Sequence, residues 1–490
     1  MTALSNKQLA LAGVILAAAN FVVVLDMTIA NVSVPNIAGG LAVSGNEGTY
    51  VITSYAVAEA ISVPLTGWLA ARFGTLRVFT GGLLLFGLFS ALCGLSASLG
   101  FLVVSRILQG FAGGPLMPIS QTLLMMIFPK NKQMTAMAIW SVTTLMAPVL
   151  GPIIGGYICD SWGWQWIFFI NIPLAIICSM AAVVILKPFE TPILKSKIDL
   201  VGLMLLILFV GSIQLMFDEG QKLDWFSSNE IIALCVVSIL GFISFLIWEL
   251  TDANPIVNLH IFKNRGYAIS VMTISITFGA FFASMVLTPL WLQTNMGYTA
   301  TWAGLALAAN GMLAIVAAPF AAKMSGKVDL RKLISMAILW LAGVTFFRSF
   351  GNSDMTFAQI AIPLLFQGMA MPFFFIPLNG LALSSVPPNQ IASAAGLMNF
   401  MRTLTGAFAT SVVTTVWDNQ ATSNRTEIVS MMQPHQEVSL AILNAQVESQ
   451  SVMLATNQTL FSIAIVFVIA ASIIWFAPKP KTVANPSGAH

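Results

Sequence analysis

The chain has 490 residues, 58% of them hydrophobic and 8% charged, with a formal net charge of +3. Soluble domains carry roughly 25% charge, so this composition excludes a soluble protein, and a mean hydropathy of +0.89 points to many membrane crossings. Four scattered cysteines, three histidines outside the apolar runs and the lack of a G-x-x-x-x-G-K-[ST] stretch speak against a disulfide framework, a buried metal enzyme and a self-contained ATP-driven pump.

A helix needs about 20 apolar residues to span the bilayer. Fourteen runs fit, at 9–34, 50–70, 77–97, 100–124, 134–158, 165–186, 198–217, 230–250, 267–293, 301–322, 332–350, 357–386, 392–417 and 458–477. The first is too long for a signal-peptide core and reads as a span. Basic residues gather on alternate connections: Lys130 with Lys132, Lys263 with Arg265, Lys323 with Arg331, then Lys479. The opposite connections hold mostly acids, among them Glu47, Asp160, Asp218 and Asp354. Positive loops stay in the cytoplasm, so both termini are expected there. One opposite connection, 418–457, is long and polar, contains Pro434, and is expected as an external loop with stretches of amphipathic helix.

The chain also repeats. Gln109-Gly110 recurs as Gln367-Gly368, and Pro129-x-Asn131 as Pro387-x-Asn389, at a constant shift of 258. Two six-helix bundles, 1–190 and 266–490, with two helices inserted over 191–265, account for the spacing. Repeated halves around a midplane site are the architecture of secondary transporters.

Charges inside spans cost about 2.5–3.5 kcal/mol each on insertion scales. Four stand out: Asp26, Glu59, Arg106 and Arg402. At about 1.5 Å per residue, Asp26 and Arg106 both fall roughly 9–12 Å below the outer surface, so they can pair. Glu59 and Arg402 both fall about 15 Å deep, at the midplane. A carboxylate that gains and loses an arginine neighbour can bind and release a proton in each cycle; the alternative is a static contact that locks helices together. Met and Phe are frequent, with Phe281-Phe282, Phe346-Phe347 and Phe373-Phe374-Phe375 clustered in the second half. Such side chains suit a promiscuous apolar pocket.

In the fifth run Gly151 and Gly155 share a helix face that admits a second backbone. Pro148 and Pro152, also four apart, each remove a helix hydrogen bond. The pattern A-P-x-x-G-P-x-x-G-G-Y from Ala147 through Gly156 to Tyr157, followed by W-x-W-I-F-F-I-N-I-P from Trp164, resembles the antiporter motif of major-facilitator drug exporters. Leu25-Asp26-Met27-Thr28-Ile29-Ala30-Asn31-Val32 resembles the first-helix signature of that family. Arg106, Gln109 and Gly110 resemble its fourth-helix motif, in which the arginine is linked to proton transfer. Gly67, Arg72 and Gly74 resemble the loop motif between helices two and three, with Ala71 where the family has aspartate.

On these motifs the chain is identified as a member of the fourteen-helix drug:proton antiporters of the EmrB/QacA type. The resemblance implies an all-α membrane protein with the major facilitator fold and 14 transmembrane helices. It also implies proton-driven efflux of lipophilic drugs across a bacterial inner membrane by alternating access. The proton gradient stands in place of a cofactor, no nucleic acid is involved, and the implied partners are an EmrA-type periplasmic adaptor and a TolC-type outer-membrane channel. The cavity is expected to include Asn31, Gln109, Gln121, Asn310, Phe374 and Asn379. Export of a fatty acid or of one metabolite is the alternative within transport; a membrane enzyme or sensor lacks support, since no nucleophile motif or soluble domain is visible.

Overall fold

The computed structural model describes residues 5–193, 198–220, 223–253, 255–431 and 440–478. Pro434 and Lys479 lie outside the described residues, as do the side chains of Pro148 and Pro152. Among the described residues every regular element is helical. In chain order these are α1 (Asn6–Leu41), α2 (Gly45–Gly48), α3 (Tyr50–Ser62), α4 (Thr66–Phe73), α5 (Thr75–Gly94), α6 (Leu99–Gly113), α7 (Leu116–Ile127), α8 (Gln133–Trp162) and α9 (Trp166–Phe169). There follow α10 (Asn171–Leu186), α11 (Leu200–Glu219), α12 (Asn229–Thr251), α13 (Arg265–Thr294), α14 (Ala300–Ser325), α15 (Leu330–Arg348), α16 (Phe357–Ser384), α17 (Ile391–Met431) and α18 (Leu440–Ile473).

All fourteen apolar runs are helical, and eleven helical segments among the described residues are long and apolar enough to cross a membrane. The other three runs are α3–α4, α8 and α17. The first is interrupted by a 3-10 turn at Val63–Leu65, where Pro64 takes an early position that needs no amide hydrogen.

Polar residues at the run edges set where helices begin. Ser5 and Gln8 form a capping box on α1, and Thr356 and Gln359 form one on α16. Asp199 caps α11 through the Gly202 amide at 2.8 Å, and Asn264 accepts from the Gly266 and Tyr267 amides to start α13.

α1 packs along α8, and α13 packs along α17 in the same manner. The first and second halves of the chain then meet along two seams, α8 with α14 and the α3–α4 rod with α17. Small residues allow the second seam to close. A Cβ on Gly67 would run into Ser393, and one on Gly396 would sit 2.9 Å from the Val63 carbonyl oxygen. α11 leans on both α3 and α17, while α12 packs on α11 and exposes most of its apolar surface.

The long connection differs from expectation. α17 continues to Met431 and α18 starts at Leu440, so most of 418–457 extends two spans as a helical hairpin. Its two arms are polar enough to bond each other. Asn424 donates to the Ser451 carbonyl and to Gln458, and Arg425 pairs with Glu448 at 3.5 Å. Fourteen residues of α17 beyond Trp417 project about 21 Å.

Candidate functional site

Two polar groupings sit inside this apolar frame. The first is built on α1, α6 and α10. Arg106 Nη1 donates to Asp26 Oδ2 at 2.7 Å and to Gln109 Oε1 at 2.8 Å, and Arg106 Nε donates to the Val51 carbonyl at 3.1 Å. Asp26 Oδ1 accepts from Gln109 Nε2 at 3.2 Å and from Asn171 Nδ2 at 2.6 Å. Asn171 also donates to Ser90, whose hydroxyl donates to the Phe168 carbonyl. The guanidinium carbon lies 4.2 Å from the Tyr55 ring centre and 5.5 Å from that of Phe168. All four polar members are buried. A buried pair holds only when its remaining donors and acceptors are satisfied, and here the two amides do that for the carboxylate.

Sequence depth brought Asp26 and Arg106 together, and the structure joins them. Gln109, expected in the cavity, is instead fully buried in this network, because its amide bridges both charged groups. Asn171 was not singled out, although it stands in the I-N-I-P end of the antiporter stretch; a lone amide in an apolar run was the available signal.

The second grouping lines a cavity of about 520 Å³ between the halves, within the usual range for small-molecule sites. Met27, Thr28 and Asn31 of α1 and Phe278, Phe281 and Phe282 of α13 form facing walls. Asn31 and Asn310 line it as expected. Glu59 and Arg402 share it as well, only 9% and 4% exposed. They do not pair. Among the described residues the Glu59 carboxylate has neither a hydrogen bond nor an ion pair. Arg402 Nη2 contacts the Met117 sulfur, its Nη1 has no hydrogen-bond partner among the described residues, and its guanidinium sits 5.0 Å from the Phe278 ring centre and 5.5 Å from that of Phe375.

The two groupings touch through glycine. Gly110, one position past Gln109, packs so closely on α3 that an added Cβ would lie 2.6 Å from the Tyr55 carbonyl oxygen and 3.2 Å from the Glu59 amide nitrogen. A shift of α6 therefore bears directly on the backbone that carries Glu59.

Three more residues expected in the cavity lie elsewhere. Gln121 Nε2 donates to Asn379 Oδ1 at 3.2 Å, and Asn399 Nδ2 donates to Gln121 Oε1 at 2.7 Å. Gln121 and Asn379 are the repeat partners at the 258 shift, so this clamp joins equivalent points of the two halves. Phe374 is fully buried beside Phe375, which stacks on Trp140 with ring centres 6.1 Å apart. These contacts join α7 and α8 of the first half to α16 and α17 of the second. Of the phenylalanine clusters, Phe281 and Phe282 reach the cavity, whereas Phe346 and Phe347 are exposed on the outside.

The glycine motifs are packing devices. A Cβ on Gly151 would run into Thr28, and one on Gly155 would meet Ile29 Cγ2 at 3.1 Å, so α8 lies directly on α1. Thr28 Oγ1 bonds the Ala147 carbonyl across that contact at 3.2 Å. Gly156 faces open space. In the loop motif Gly74 has φ +93° and starts α5. The Glu190 carboxylate, from beyond α10, accepts the Leu76 and Arg77 amides there at 3.0 and 3.1 Å. Arg72 is half-buried, and its guanidinium has neither a hydrogen bond nor an ion pair among the described residues.

A Major Facilitator Superfamily profile matches residues 16–410. The multidrug export protein EmrB of Escherichia coli (strain K12) is 39% identical over 97% of each chain. That of Haemophilus influenzae is 41% identical over 95% of each. This chain belongs to the EmrB type of the Major Facilitator Superfamily. It is a multi-pass membrane transporter and not an enzyme. The fatty acid resistance protein FarB of Neisseria gonorrhoeae is 40% identical over 94% of each chain. The proton:xylose symporter XylE superposes with a TM-score of 0.63 over 97% of each chain at 13% identity, and so shares the major facilitator fold.

Proposed function

We propose that this transporter expels lipophilic compounds from the bacterial cytoplasm across the inner membrane in exchange for protons. The reading has fourteen spans, cytoplasmic termini, and two six-helix bundles with α11 and α12 between them. The observation that carries it is the cavity between the halves, largely apolar in its walls, with Glu59 and Arg402 on them and no pairing between those two. Alternating access fits this arrangement: the clamp of Gln121, Asn379 and Asn399 opens in one state and reforms in the other. Glu59 takes up the proton from the outer side, and the Asp26–Arg106 network, in contact through Gly110, sets the position of α3. Arg402 offers a cationic anchor for acidic substrates. That anchor, together with the likeness to FarB, favours a second reading as a fatty acid exporter. The helical hairpin of α17 and α18 lies on the side where an EmrA-type adaptor would bind and lead to a TolC-type channel.

Reconstitution in proteoliposomes with an imposed pH gradient tests the reading. Addition of a lipophilic substrate should release the gradient in the parent and do so far more slowly in Glu59→Gln. Equal proton flux with and without substrate would overturn proton exchange.

A further inference from the structure

α11 belongs to the inserted pair, to which the transport reading gives no task. Its position suggests one. It packs against α3 of the first half and α17 of the second, so it spans the gap between them. Ser411 Oγ on α17 donates to the Phe217 carbonyl at 3.2 Å, and Trp225, just past α11, donates through Nε1 to Thr415 Oγ1 at 2.9 Å. These bonds tie α11 to α17, which also carries Arg402. Gln214 and Phe217 of α11 line the same cavity as Glu59 and Arg402.

Gln214 is the informative residue. It is the single amide of its span and is only 7% exposed. Its neighbours Leu208 and Leu215 face outward and are exposed, so Gln214 is turned away from lipid. Among the described residues its amide has no hydrogen-bond partner. An amide offers two donors and an acceptor, and the polar atoms of this one are not sealed in protein. The free side of this one is the cavity.

We propose that α11 is a third wall of the substrate cavity and that Gln214 is a specificity-determining residue in it. Its amide would bond the carbonyl, hydroxyl or amide group of a lipophilic substrate whose apolar body lies against Phe217 and Phe278. This rests on the reading of the cavity as the export site. It assigns a task to an inserted helix that a twelve-helix relative would lack.

Two measurements on the full chain in nanodiscs test it. In a background without Cys93, Cys159, Cys178 and Cys235, a thiol is placed at Gln214→Cys or Leu215→Cys and challenged with a charged, water-borne methanethiosulfonate. Position 214 should label about tenfold faster or more, as polar cavity against lipid; equal rates at the two positions would overturn the wall. The second measurement compares binding of fluorenone with fluorene, which differ by one carbonyl. Gln214→Leu should weaken fluorenone by about 3- to 10-fold and leave fluorene unchanged, the loss of one neutral hydrogen bond. Equal loss of both ligands would mark a merely structural side chain and overturn the subsite, as would a parent that binds neither. Substrate-dependent proton flux reports separately on the export reading, so the two failures are distinguishable.

Discussion

Asp26→Asn is the sharpest test of the buried network. Asp26 accepts three N–H groups, one from Arg106 on Oδ2 and one each from Gln109 and Asn171 on Oδ1. An asparagine has one acceptor oxygen and one donor nitrogen. If its oxygen keeps Gln109 and Asn171, its amide hydrogens point at the Arg106 guanidinium; if it is flipped, they point at two amide donors. Either way Arg106 stays buried without a counter-charge. Breaking a buried pair from one side costs about 3–5 kcal/mol, which is roughly a 10²- to 10³·⁵-fold shift in the folding equilibrium. The assay is thermal unfolding of purified protein, followed by size-exclusion of the survivors, beside proton-driven export in vesicles. Asp26→Asn should melt well below the parent and lose proton-driven export. Asp26→Asn with Arg106→Gln should regain part of the stability, since no lone charge remains, yet still fail to export. Parental melting and export in Asp26→Asn would refute the reasoning, and a double variant no more stable than the single one would refute its electrostatic basis.

Gly155→Leu should reach the membrane but lose most export, because even the first added carbon lies 3.1 Å from Ile29 Cγ2 and overpacking costs about 1–3 kcal/mol or more; undiminished export would remove the α1–α8 contact from the mechanism. Glu59→Gln should flatten the pH dependence of drug binding measured at two pH values, whereas an unchanged dependence would leave Glu59 a structural residue. Gln121→Leu removes the hydrogen bonds to Asn379 and Asn399 and should raise the reactivity of a thiol at Ala382→Cys, buried one turn further along α16, toward reagents added from the cytoplasmic side; an unchanged rate would mean that the clamp does not hold that seam. Replacing 425–449 by a short linker should spare transport in vesicles and reduce resistance in cells severalfold, and equal loss in both assays would assign the hairpin to the transport cycle itself.

Position along each helix was legible in the residues alone. Spans follow from run length, and a straight rod rises by a constant step per residue, so counting placed Asp26 level with Arg106 and Glu59 in the same layer as Arg402. That α8 presses closely on a neighbouring helix was also legible, since Gly151 and Gly155 leave one face bare; that the neighbour is α1 was decided by the tertiary structure. Position around each helix was not. In water the polar face of a helix marks its outside, but in a bilayer the outside is apolar too, and these helices are apolar all round. Nothing in the residues therefore told Asn310, which lines the cavity, from Gln121 and Asn379, which clamp the seam, or turned Phe281 inward to the cavity and Phe374 into solid packing. The same ambiguity hid Asn171 and Gln214, each a single amide in an apolar run. Which partner each buried polar atom finds depends on how the halves are rotated against each other, and that rotation comes from side chains interlocking between helices distant in the chain.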